Sequence, residues 1–133
     1  MKEASLTFRG FECAPERVQA LMGVAAGGMI AKGDLSHSGQ PYPRSSVRFT
    51  VQVDGCRIDE MIPKLFTHVG GLANAIATRD AIHPEFVEID LYLPIKNSPE
   101  QENGYFHVQT IKEVAELGAT IGLGIHGNEM RSP

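Results

Sequence analysis

Near its C-terminal end the sequence spells GLGIHG, Gly122 to Gly127, which fits G-x-G-x-x-G, the glycine pattern whose bare backbone admits a pyrophosphate. Dinucleotide chemistry needs more than those letters. It needs a strand, the glycine turn, a helix whose N-terminus faces the phosphates, and an acidic residue about 20 positions further on for the ribose. Only NEMRSP follows Gly127, which holds neither, so no cofactor is expected. Alternation explains the letters better: Ile121, Leu123 and Ile125 point one way, and Gly122, Gly124 and His126 point the other, as in a strand. Glycine inside a strand marks a close approach to the backbone, so the question becomes what covers those two positions.

Other chemistry-bearing residues form no pattern. The histidines His37, His68, His83, His107 and His126 show neither H-x-x-x-H nor H-E-x-x-H spacing, so no metal site is expected and they read as surface or partly buried polar groups. His126 beside Glu88 or Asp90 is the pairing worth inspecting, and it requires their strands to be neighbours. Cys13 and Cys56 lack C-x-x-C spacing and read as buried, reduced thiols. No G-x-S-x-G elbow occurs, and Ser38 and His37, adjacent on an extended segment, point apart. No catalytic residue is assigned.

The elements that must position these residues follow from periodicity. Residues 4–9, ASLTFR, and 47–53, VRFTVQV, alternate apolar and polar side chains, as half-buried strands do. PERVQALMG reads as a short helix with Pro15 in its first turn and Gly23 at its stop. A short strand is expected at 29–32, and residues 33–46 read as an irregular loop, the most mobile part of the chain. Ile58, Met61, Ile62, Leu65, Phe66 and Val69 form a helical stripe that breaks at Gly70-Gly71 and resumes through Leu72, Ala75 and Ile76. Pro63 is tolerable if that helix starts near Asp59 or later.

FVEIDLYLPI is a further strand, and YFHVQ, Tyr105 to Gln109, is expected to return antiparallel to it as a hairpin. Thr110 and Glu113 read as a capping box for a helix ending at Gly118, and residues 119–125 form the last strand. This order predicts one α+β domain spanning 1–133, a ferredoxin-like open-faced sandwich with a mixed or antiparallel sheet and its helices on one face.

On the other face the outward residues Arg9, Arg48, Gln52, Glu88, Asp90, Tyr92 and His126 would gather. They form a polar surface of mixed charge with one aromatic, the candidate binding face for a protein partner or a small polar ligand. The plain alternative is an ordinary solvated sheet face. The chain carries 12 Lys and Arg against 16 Asp and Glu, a net charge of −4, with its basic residues scattered. That spacing argues against nucleic acid. The absence of a signal-like or spanning apolar run argues against a membrane and for the cytoplasm.

PERVQALMGVAAGGMIAKGD, IDEMIPKLFTHV and FHVQTIKEVAELGATIGLGI resemble the bacterial family called domain of unknown function 4279. The first looks like that family's helix and basic-Gly-acidic turn, and the last like its closing strand-helix-strand. Together the three motifs span most of residues 4–126. Where the family typically carries a Trp in the following strand, this chain has Phe49 or Val51. The resemblance implies a fold and brings no reaction with it.

Two functions are therefore expected to compete. One is a non-catalytic bacterial binding or interaction protein without a cofactor, of immunity type by analogy with small acidic toxin-neutralising proteins, and homodimeric through the sheet face or an edge strand. The other is a small enzyme with His126, Asp90 or Glu88 as acid or base on the sheet face and Arg48 holding an anion, which requires a concave pocket around those residues.

Overall fold

The computed structural model describes residues 2–94 and 104–126, with Pro94, Ile125 and His126 described by backbone alone. The elements run β1 (Glu3–Arg9), α1 (Pro15–Met22), β2 (Gly28–Ile30), β3 (Ser46–Gln52), α2 (Ile58–His68), α3 (Leu72–Ile82), β4 (Phe86–Pro94), α4 (Val108–Leu117) and β5 (Thr120–His126). The strands form one sheet in the order β2-β3-β1-β4-β5, antiparallel except for the parallel pair β4 and β5. The chain is thus an open-faced α+β sandwich on a mixed sheet, as its periodicities predict.

The alternation in β1 sets the two faces. Ala4, Leu6 and Phe8 are fully buried and pair with Val51, Phe49 and Val47 of β3 and with Leu91, Ile89 and Val87 of β4. Met61, Ile62 and Leu65 of α2, Val18 of α1, Ala75 of α3 and Leu117 of α4 belong to the same core. Burying each large apolar side chain here contributes about 1.5–3 kcal/mol relative to leaving it in water.

Local chemistry fixes the helix ends. Gly23 and Gly118 adopt φ values of +82° and +77°, which end α1 and α4 at little cost. Asn74 Nδ2 donates to the carbonyls of Met22 and Val69, each at 2.8 Å, so α3 holds the C-terminal ends of both preceding helices. Arg79 Nη1 donates to the carbonyls of Glu116 and Leu117, also at 2.8 Å, and closes the end of α4.

Two local expectations are overturned. Gly104 to His107 form no strand, and α4 begins at Val108, inside the segment expected to return as a hairpin. The reason lies in the sheet: β1 occupies one edge of β4 and β5 the other, so no position is left for a hairpin partner. A parallel β5 also requires a crossover, which α4 supplies. Thr110 accordingly lies inside α4, where it is buried, and His107 takes the N-cap position. Pro63 is also deeper in its helix than expected, at the sixth position of α2, so one hydrogen bond of that helix is missing.

Elsewhere the outcome is milder. Residues 33–42 fold back on themselves, with a bridge between Leu35 and Pro41 and the Tyr42 N–H donating to the Asp34 carbonyl at 2.8 Å. Cys13 and Cys56 are free thiols, half-buried rather than fully buried.

Candidate functional site

Among the described residues all the helices lie on the Phe8 side, and none covers the opposite face of the sheet. The strand register arranges its side chains in rows. Thr7 is flanked by Arg48 and Glu88, Ser5 by Thr50 and Asp90, and Glu3 by Gln52 and Tyr92. In β5, Gly122 pairs with Asp90 and Gly124 with Tyr92. Six of the seven residues expected on this face, Arg9, Arg48, Gln52, Glu88, Asp90 and Tyr92, therefore share it.

His126 pairs in register with Pro94, and its side chain lies outside the described residues. The neighbouring strands required for its pairing with a carboxylate are present. At a rise of about 3.3 Å per residue, however, its backbone sits about 13 Å along the strand from the position facing Asp90.

What covers the two glycines is the neighbouring strand. A Cβ on Gly122 would stand 2.5 Å from Asp90 Oδ1, and one on Gly124 would stand 2.7 Å from Tyr92 Cδ1. The carboxylate and the ring lean sideways into the gaps left by the absent side chains. The glycines therefore let a short polar and a large aromatic side chain lie flat on the sheet.

The centre of this face is not simply solvated. Ser5 and Thr7 are 1% and 5% exposed although no helix covers them, because longer side chains flank them on both sides. Ser5 Oγ and Thr50 Oγ1 share a hydrogen bond of 3.0 Å, and Arg9 Nη2 pairs with Glu88 Oε1 at 2.9 Å. Beside them lies a concavity of about 210 Å³ lined by Thr7, Arg9, Gly28, Ile30, Ser46 and Arg48. It opens between β2, β3 and β1, and Asp90 and Glu88 are not in its wall.

Two charges on this face are left without a direct side-chain contact among the described residues. Neither the Arg48 guanidinium nor the Asp90 carboxylate makes a side-chain hydrogen bond or ion pair among the described residues. Partial burial raises the Asp90 pKa above the usual carboxylate value, the Glu88 charge adds to this, and Arg9 and Arg48 oppose it.

A second cluster lies at the start of α2, where no local pattern in the residues points to it. Glu60 accepts the Arg57 backbone N–H at 2.8 Å, which anchors the first turn. Arg57 Nε and Nη2 donate to the two oxygens of Asp59, each at 3.0 Å, and His107 Nε2 meets Asp59 Oδ2 at 3.2 Å. Asp59 is 5% exposed. Hydrogen bonding from Arg57 overcomes the cost of burial and lowers the Asp59 pKa to about 2, with smaller help from the Arg57 charge and His107. Arg57 is in turn held more firmly protonated, chiefly by the same bonds.

Tyr105 packs edge-on against His107 with ring centroids 5.2 Å apart. A groove of about 500 Å³ runs past this cluster along Pro63, Lys64 and Thr67 of α2. The cluster joins residues 48 positions apart, and only the packing of the segment before α4 onto α2 brings them together. The one signal in the sequence is the acidic first turn of α2, Asp59 and Glu60.

Among the described residues no three His, Cys, Asp or Glu side chains are grouped so as to hold a metal ion, and no helix is long and apolar enough to cross a membrane. No family model, curated protein or solved structure matches the chain.

Proposed function

We propose that the protein is a small cytoplasmic binding module that recognises a carboxylate on the open face of its sheet. The observation that carries this reading is Arg48, a guanidinium on the wall of a concavity that makes no side-chain hydrogen bond or ion pair among the described residues. Arg9, the second arginine there, is already paired with Glu88. One such guanidinium matches one negative charge, and its planar fork suits a carboxylate held by two parallel hydrogen bonds. The hydroxyls of Thr7 and Ser46 line the same concavity and can donate to the bound oxygens. Ile30 gives it an apolar side, which suits a carboxylate on a short carbon chain. The ferredoxin-like reading is one of architecture and adds no site of its own.

Calorimetric titration with hexanoate tests this. Binding by the native chain that Arg48→Gln weakens at least tenfold is the expected outcome, and equal binding by the two proteins would sink the reading.

A second copy of the chain is also a proposed partner. Among the described residues β5 pairs only with β4, and Ile121 and Leu123 on its helix-side surface are 36% and 60% exposed. An open edge beside apolar side chains favours association between strands. A light-scattering mass of one chain at 100 micromolar or more would exclude it, with that concentration taken as about the working limit for weak dimers.

The enzyme reading finds its support away from the sheet face. Asp59 and His107 form a carboxylate–imidazole pair at the edge of a groove, an arrangement that orients a histidine for proton transfer. Hydrolysis of a panel of simple esters that disappears in His107→Gln would favour this reading over binding alone.

A further inference from the structure

We propose that the ligand of the open face is a zwitterion with widely separated charges, of the size of a short extended peptide, its carboxylate held at Arg48 and its ammonium at Asp90. This deepens the carboxylate-binding reading and rests on it. Among the described residues neither side chain makes a hydrogen bond or an ion pair, and the two are opposite in sign. A partly buried carboxylate with no hydrogen-bond donor among the described residues is costly on its own, and a ligand ammonium supplies both the donor and the charge. Gly122 opens the space into which Asp90 leans, and any larger residue there would push the carboxylate off the sheet.

The register gives the spacing. Arg48 faces Thr7, Thr7 faces Glu88, and Asp90 stands two residues beyond Glu88. Two strand spacings of about 4.8 Å and two residues of about 3.3 Å separate the two Cα atoms by about 12 Å. An extended tripeptide spans about 10–11 Å, whereas the charges of a free α-amino acid are too close together to reach both ends. Between the two ends lie Thr7 and Ser5, small polar residues over which the flanking side chains close, so the ligand chain would lie across the tops of those side chains.

Triglycine, N-acetyl-triglycine without the ammonium, and triglycinamide without the carboxylate are the probes, titrated against the native chain, Arg48→Gln and Asp90→Asn. The expected result is that removing either end group weakens binding at least tenfold, that Asp90→Asn abolishes the penalty of acetylation, and that Arg48→Gln abolishes the penalty of amidation. If N-acetyl-triglycine binds as tightly as triglycine and Asp90→Asn changes nothing, the zwitterion is wrong while the carboxylate site stands. If neither carboxylate peptide binds the native chain, both are wrong. Circular dichroism melts of the two variants establish that a loss of binding is not a loss of fold.

Discussion

The ring of Tyr92 lies over Gly124, in the space that a side chain on Gly124 would need. An aromatic residue on one strand shielding a glycine on its neighbour recovers buried area that the glycine alone leaves open. The pair therefore acts as one unit of the β4–β5 junction, and Asp90 with Gly122 repeats the arrangement two residues earlier.

Gly124→Ala should accordingly destabilise the protein, despite the better strand propensity of alanine, because the ring must swing away from a Cβ that would stand 2.7 Å from Cδ1. The expected loss is about 1–2 kcal/mol, the usual range for overpacking a settled site. Urea unfolding measures it, and the displaced ring should change the tyrosine fluorescence, which no tryptophan obscures in this chain. The double variant Gly124→Ala with Tyr92→Ala should recover part of the loss.

Asp90 makes an opposite prediction about charge. Its folded pKa is raised, so its contribution favours folding when it is protonated and is lost as pH rises through the folded value. Above the folded value the ionised group opposes folding, and Asp90→Asn should raise the thermal midpoint there by on the order of 1–2 °C, a small shift because the group is only partly buried. Below the ordinary carboxylate value of 3.8 the two proteins should melt together.

Asp59 behaves in the reverse sense. Its folded pKa is lowered to about 2 from 3.8, so its contribution is present above 3.8 and is lost as pH falls towards 2. Asp59→Asn should lower the thermal midpoint by on the order of 5 °C at pH 7 and cost progressively less below pH 4. His107→Gln, which removes one of three side-chain bonds to the carboxylate, should cost less than Asp59→Asn at pH 7. Melts at pH 7, 4 and 2.5 would show both trends.

Asn74→Ala should destabilise the chain by about 1–3 kcal/mol, since it leaves the Met22 and Val69 carbonyls without their donor at the junction of three helices. Hydrogen exchange should rise at the C-terminal ends of α1 and α2 together. Faster exchange in only one of them would show that Asn74 does not couple the two.

The sequence reveals the fold where one residue's environment depends on its neighbours in the chain. β1, β3 and β4 alternate because one face is dry, and Gly23, Gly70, Gly71 and Gly118 mark helix ends because they adopt positive φ. The hairpin expected at Tyr105 to Gln109 fails because its short alternation is compatible with either state, and the choice is made by β5, a strand that arrives later and takes the free edge of β4. The capping box at Thr110 fails with it, since the helix starts earlier. Six members of the open face were legible as outward residues of strands, but the concavity was not: it needs Gly28 and Ile30 of the short edge strand beside Arg48. The Asp59–His107 contact was illegible for a similar reason, because it depends on how the segment before α4 docks onto α2.

The central position of β1 also shapes how the chain folds. Phe8 faces Val47 on one side and Val87 on the other, partners 39 and 79 residues further along. Neither neighbour is reachable through a tight turn, so the strand that organises the whole sheet waits, with its apolar side unshielded, for two distant segments to close upon it. Such non-local pairing slows folding and lengthens the time during which the unpaired edges of β1 are open to other chains. Refolding at rising protein concentration should therefore lose yield sooner than the stability of the finished fold would suggest.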